Sequence, residues 1–406
     1  MTDNKGRNST LLTLSKITFS LHMVYSYVIS YSLFFVRGLS SASLLLAFIL
    51  VLASDNYRIT KQNSIIAYFI FAIYVISSGF LIAVDNSYVL SSGLSFVESL
   101  VVFYLVITYV NLDNNPLFPI YIYIFMSIVS ALIVVFHGTD TQRVSVSEDV
   151  NVNILGVMFS FAIGFVLLLM IDMNKTILKI SGSITCILLF FLAILLTASK
   201  KAIISSLLLI LLWCIFCYGF TFAKLNRWLK FIMFVCLIVS GYYIYYWYTI
   251  KYALQMEYIQ SRMNDIYIGD SDQMRLILMR EGIKVFLSHP FVGVGFNNFR
   301  FYTYYNTYTH CFYSEILACT GIIGSVIFAY GYFRPVYVLY KTIKNNARNI
   351  INNAVRKYLM ILYLVLLVLN FTIIIMYVPI LLYILAILTT YIDFEYLKVK
   401  REYIHE

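Results

Sequence analysis

Uninterrupted apolar runs constrain this chain more than any other feature. ILLFFLAILL at residues 187 to 196 and SLLLILLWCIF at residues 206 to 216 carry no charge. Such runs do not suit a membrane β-barrel, whose strands alternate apolar and polar residues. They suit helices, which satisfy their own backbone in lipid. A fold in water is excluded by composition: 61% of the 406 residues are hydrophobic and 12% are charged, against about 25% charged in soluble domains. One crossing takes about 20 apolar residues, so the length allows roughly a dozen. The chain reads as all-α, a polytopic transmembrane helical bundle of about 12 spans.

Runs bounded by charges or turn residues predict spans near residues 17–36, 39–53, 64–84, 88–110, 117–136, 154–171, 180–198, 202–220, 231–250, 312–333, 358–377 and 380–392. The second and the last are short, but the positive-inside bias needs both. Both termini then face the cytoplasm. The first run is longer than a signal-peptide core and lacks a small-residue cleavage pattern, so it reads as a retained anchor. Three regions follow: 1–250 with helices 1–9, 251–311 as a large extracytoplasmic loop able to fold and carry chemistry, and 312–406 with helices 10–12 and a cytoplasmic tail.

Most basic residues mark the inner side, so the net charge of +10 does not point to nucleic acid. The cations that this topology leaves outside, Lys200, Lys201, Arg275, Arg280, Lys284 and Arg300 among them, run against the bias and suit an anionic substrate. For Lys200 and Lys201 the alternative is a charged turn snorkelling to headgroups. The six cysteines lie mostly in apolar runs, where a thiol packs as a small hydrophobe. Cys214 and Cys217 form a CxxC without a second pair, and the five histidines are scattered, so neither metal nor cofactor is expected.

Within the outer loop, residues 271 to 288 predict a helix, capped by Asp270 or Ser271 and ended by His289-Pro290. Leu276, Met279, Ile283 and Phe286 form its expected apolar face, with Arg275 about 20° from Phe286 around the axis. An inward guanidinium needs an anion, whether a ligand or a carboxylate such as Asp270 or Asp272. Arg280 and Lys284 occupy a more polar arc. The Gly293-Val294-Gly295 turn reads as a tight bend against the membrane, without the third glycine of a dinucleotide fingerprint. His310, at the junction with the tenth span, either exchanges a proton near neutral pH or caps a helix. Glu315, slightly deeper, needs a partner inside a span: it orients His310 or Arg275, or forms a structural ion pair. Glu98 in the fourth span reads the same way. Tyr302, Tyr304, Tyr305 and Tyr308 supply either sugar-stacking rings or an interfacial belt.

Four blocks, NVNILG (residues 151 to 156), LLTASKKAII, SDQMRLILMREGIKVFLSHPFVGVGFNNF (residues 271 to 299) and THCFYSEILACTGIIG (residues 309 to 324), resemble the O-antigen polymerase and O-antigen ligase superfamily of Wzy-type proteins. The resemblance covers about residues 150 to 333. Two positions depart from the pattern: Lys200 stands where arginine is usual, and Cys311 where asparagine is usual. An ammonium lacks the planar two-point grip of a guanidinium. The resemblance implies a membrane glycosyltransferase of the bacterial cytoplasmic (inner) membrane that works without metal or cofactor. It would polymerise repeat units carried on undecaprenyl pyrophosphate into O-antigen, capsule or exopolysaccharide. Arg275 and His310 carry over as the catalytic pair. Lys200, Lys201 and Arg280 would support the substrate anion, with Glu315 beside them. The implied partners are the lipid-linked glycan, membrane lipids and a chain-length regulator protein. A ligase passing finished glycan to a lipid or protein acceptor is the alternative on the same fold, and a flippase of lipid-linked sugars the alternative from another class.

Overall fold

The computed structural model describes residues 2–27, 34–54, 62–137, 151–172, 176–218, 270–345 and 350–405, and among them every regular element is helical. In chain order these are α1 (Thr2–Tyr27), α2 (Phe34–Ser54), α3 (Asn63–Ile82), α4 (Asn86–Asp113), α5 (Leu117–His137), α6 (Val152–Asp172), α7 (Ile177–Thr197) and α8 (Lys200–Trp213), which runs into a π-helical turn at Cys214–Tyr218. After these come α9 (Asp270–Ser288), α10 (Phe312–Asn345), α11 (Ile350–Leu369) and α12 (Pro379–His405). Seven of them, α3, α4, α5, α6, α7, α10 and α12, are long and apolar enough to cross a membrane. The chain is a multi-pass membrane protein. The expected ninth span at 231–250 and the first part of the outer loop, 251–269, lie outside the described residues.

Apolar runs located the helices better than they located the ends. The expected first span, 17–36, falls across two described helices, α1, which reaches back to Thr2, and α2, which starts at Phe34, while residues 28–33 lie outside the described residues. The two pack together, with the His22 imidazole donating to the Ser40 carbonyl at 3.0 Å. The short last run, 380–392, lies within α12, which continues to His405. A helix extends as far as its backbone bonds can be made, whereas hydropathy records only which stretch is buried.

α6 and α12 form the centre, each 83% buried over its apolar stretch, while α7 at 28% lies on the periphery. α12 packs on α4, α10 on α3, and α6 against α7 and α8. One end of the bundle gathers the α3–α4 turn, the start of α6, the α7–α8 turn, the start of α10 and residues 370–378. Gly156, in the asparagine-and-glycine block, lets α6 meet the α7–α8 turn: an added Cβ would lie 2.9 Å from Thr197 Oγ1 and 3.0 Å from Ser199 Cβ. The opposite end carries ion pairs. Arg334 donates to Asp393 at 2.9 Å, Gln62 bonds the same carboxylate, and the fully buried Arg356 donates to Glu395 at 3.0 Å.

Candidate functional site

α9 begins at Asp270 and ends with Ser288, directly before the His289-Pro290 step. Its buried face differs from the hydropathy pattern. Leu278 and Val285 are buried, whereas Leu276 and Ile283 are 47% and 40% exposed. The cause is Gly282, where an added Cβ would meet Thr309 Cγ2 at 2.8 Å and Ser314 Cβ at 3.2 Å. A residue without a side chain gives no hydrophobic signal, yet here it marks the closest approach. Arg275 lies seven residues from Gly282, about 20° away around the helix. It therefore lies on the face turned to the junction at residues 309–314.

The turn after α9 is built into α10 rather than resting on it. Gly321 has φ +61° and ψ −166° and interrupts the α10 hydrogen-bond ladder. Ile322 and Ile323 donate instead to the carbonyls of Pro290 and Phe291, at 2.8 and 3.3 Å. Val294 and Gly295 donate to the carbonyls of Ala318 and Cys319, both at 3.0 Å. Two helical bonds are thus exchanged for four between segments. Gly293, at φ +74°, is required because a Cβ there would lie 2.5 Å from the α10 backbone. The bend expected against the membrane is a bend against this helix. Leu278, Val285, Val294, Phe299, Ala318 and Cys319 close a small apolar core beneath it. Phe296 anchors the turn in the bundle, 6.1 Å from the Phe71 ring and 5.2 Å from that of Tyr377.

His310 occupies the left-handed region, with φ +59°. Its neighbours hold it there. Thr309 Oγ1 donates to the Cys311 carbonyl at 2.8 Å and accepts from the Cys311 N–H at 3.3 Å, and Phe312 N–H donates to the Asn370 carbonyl at 2.9 Å. Glu315 is fully buried and accepts from the Thr309 N–H at 2.8 Å and from the Tyr377 hydroxyl at 3.2 Å. Its carboxylate thus fixes the backbone that presents the imidazole. The Tyr308 ring packs 4.3 Å from that of His310. Burial, then the charges of Arg275 and Lys201, push the imidazole from its usual 6.5 down to about 4. At neutral pH it is an uncharged proton acceptor in the field of both cations.

Lys201 is partly buried in the first turn of α8, and its ammonium donates to the Thr372 carbonyl at 3.2 Å. Lys200, also partly buried, precedes it. Arg280 is exposed, about 140° around α9 from Arg275. Lys284 pairs with Glu281 at 2.6 Å. Glu98 accepts from Ser41 of α2 at 3.4 Å. Tyr302 packs on His289, and Tyr304 is 98% exposed. Among the described residues no group of three or more His, Cys, Asp or Glu side chains could hold a metal ion.

The structure also brings in Tyr88, Thr372 and Tyr377, which the sequence did not single out, and gives Arg300 and Tyr308 settings that the sequence did not show. Arg300 donates to Asn297 Oδ1 at 2.9 Å and lies 4.4 Å over the Tyr88 ring. Burial raises the Tyr308 phenol, Glu315 adds to the shift, and Arg300 and Arg275 oppose it. Tyr377 and Thr372 approach from between α11 and α12. The arrangement combines a neutral base, fixed cations and a position at a helix junction, which suits transfer chemistry with an anionic leaving group.

Residues 184–329 match the family model described as O-antigen ligase. This match supports the O-antigen polymerase and ligase superfamily, and with it a membrane glycosyl-transfer function in polysaccharide assembly. The matched segment contains Lys200, Lys201, Arg275, Arg300, His310 and Glu315, while Tyr88, Thr372 and Tyr377 join the candidate site from outside it. No curated protein matches the chain.

Proposed function

We propose that the protein is a polymerase of oligosaccharide repeat units carried on undecaprenyl pyrophosphate, acting at the outer face of a bacterial cytoplasmic membrane. The observation that carries this reading is the convergence of Arg275 and Lys201 on a neutral His310 at one end of the bundle. The proposed topology has twelve spans, with the basic segments inside and the His310 end outside. A hydroxyl oxygen of one lipid-linked unit attacks the anomeric carbon of a second glycan. The bond from that carbon to the diphosphate oxygen breaks, polyprenyl diphosphate leaves with the bonding electrons, and His310 takes the hydroxyl proton. Arg275, Lys201 and Lys200 stabilise the negative charge that builds on the leaving group. Glu315 positions residues 309–311, and Arg280, on the far side of α9, is left out of the reacting centre.

Purified protein given a synthetic undecaprenyl-pyrophosphate repeat unit, with a chelator present, should build a ladder of products. Arg275→Ala and His310→Ala should each slow it by about two to four orders of magnitude. A ladder that survives both changes sinks the assignment. The description of the matched family favours a second reading, ligation of a finished glycan. A deletion strain separates the two: single outward-facing repeats indicate a lost polymerase, and long unattached chains a lost ligase.

A further inference from the structure

A polymerase handles two lipid-linked diphosphates at once: one leaves, and the other stays on the acceptor. The charges of Arg275 and Lys201 bear on His310, and the reaction proposed above assigns them to the departing one. Arg300 lies elsewhere in the same site. The Asn298 side chain accepts from the Asp85 N–H at 2.9 Å and donates to the Asp85 carbonyl at 3.1 Å, which clasps this strip of loop to the α3–α4 turn. Asn297, with φ +58°, donates its backbone N–H to the Tyr377 hydroxyl at 3.0 Å and its side-chain amide to Ser92 at 2.8 Å. Its remaining oxygen takes one guanidinium nitrogen of Arg300, while Tyr88 backs the guanidinium plane. The guanidinium is thus held at one corner and one face, and its buried Nε–H has no hydrogen-bond partner.

Charge effects order the cations. Lys201 and Arg275 act on His310, and Arg275 and Arg300 act on Tyr308. Arg300 is fixed by Asn297 and Tyr88 near the α3–α4 turn, whereas Lys201 is fixed at the Thr372 carbonyl. A buried, unpaired donor on a fixed, permanently charged fork is matched by a phosphate oxygen, and guanidinium is the group that grips phosphate at two points. We propose that Arg300, held by Tyr88 and Asn297, binds the diphosphate of the acceptor lipid, so that the site holds two anions, one at Arg300 and one at Arg275 and Lys201. This rests on the polymerase reading above, since a ligase acceptor need carry no diphosphate.

The test separates the two substrates. A donor-only repeat unit has the hydroxyls of its non-reducing end capped. An acceptor-only unit is joined to its lipid diphosphate through carbon at the anomeric position, so it cannot be cleaved. With the full-length protein in detergent, Arg300→Gln should raise KM for the acceptor-only unit at least tenfold more than for the donor-only unit, and Arg300→Lys should recover part of the loss. Arg275→Gln should show the reverse bias. Equal effects of Arg300→Gln on both KM values, a larger effect on the donor, or no effect would overturn the assignment. Failure of the wild type to join the pair or to release polyprenyl diphosphate would instead count against the polymerase reading itself.

Discussion

His310 shows how much of a site depends on backbone. A non-glycine residue in the left-handed region costs about 1–3 kcal/mol, and the Thr309 bonds, the Glu315 carboxylate and the Tyr308 ring hold it there. With burial and two cations lowering its pKa to about 4, the free enzyme loses its base only in strong acid. The acid limb of kcat/KM should therefore lie near pH 4. A bound diphosphate anion stabilises the imidazolium, so the limb of kcat should lie higher. Arg275→Gln removes a repelling cation and should move the kcat/KM limb upward toward 6.5. A wild-type kcat/KM limb already at 6.5 would contradict the electrostatic picture. Arg275 and His310 were legible because each is polar at an apolar boundary. The tie from Glu315 to Thr309 was not, since a backbone N–H has no letter in the sequence. Arg300 read as one more outer cation because its platform, Tyr88, lies far off along the chain.

At the scale of elements, α9 was readable in extent but not in orientation. Capping residues and the His289-Pro290 step defined the ends, whereas counting apolar residues rotated the buried face toward Leu276 and Ile283. Close approach at Gly282 decides the matter. Gly282→Ala should push α9 off the junction, because Thr309 is tied by its own bonds and cannot turn aside. The expected result is a loss of about 1–3 kcal/mol in stability, as for overpacked sites, with a larger fall in transfer rate as Arg275 leaves His310. Thermal unfolding and ladder assays on the same preparation check both. Unchanged activity would mean that the spacing between α9 and α10 does not matter. The α7–α8 turn is equally tight: Ala198, at φ +47°, and Ser199 alone separate the helices, so Lys200 and Lys201 are fixed by the bundle rather than by a loop.

Across the whole molecule the two ends divide the work. The His310 end gathers cations around polar junctions, and the opposite end ties α10, α11 and α12 by charge pairs, with Gln62 ahead of α3 bonded to one of their carboxylates. Removing one member of a buried pair leaves the other uncompensated, so Glu395→Gln should cost about 3–5 kcal/mol while leaving KM for the lipid-linked unit within about twofold of the wild type. Detergent unfolding and a KM measurement test this, and a large KM change would show that the ends are coupled. Apolar run length made the helical class readable from sequence, but pairings such as Arg356 with Glu395 join distant positions and leave no periodic trace. The exchange of backbone bonds at Gly321 has a consequence for biogenesis. Residues 290–295 leave the ribosome before residues 322 and 323, and until the turn docks the Ile322 and Ile323 amides can close on the Ala318 and Cys319 carbonyls as in an ordinary helix. The tenth helix can therefore enter the bilayer as a finished rod, and docking of the turn afterwards trades two of its bonds for four and opens the kink at Gly321.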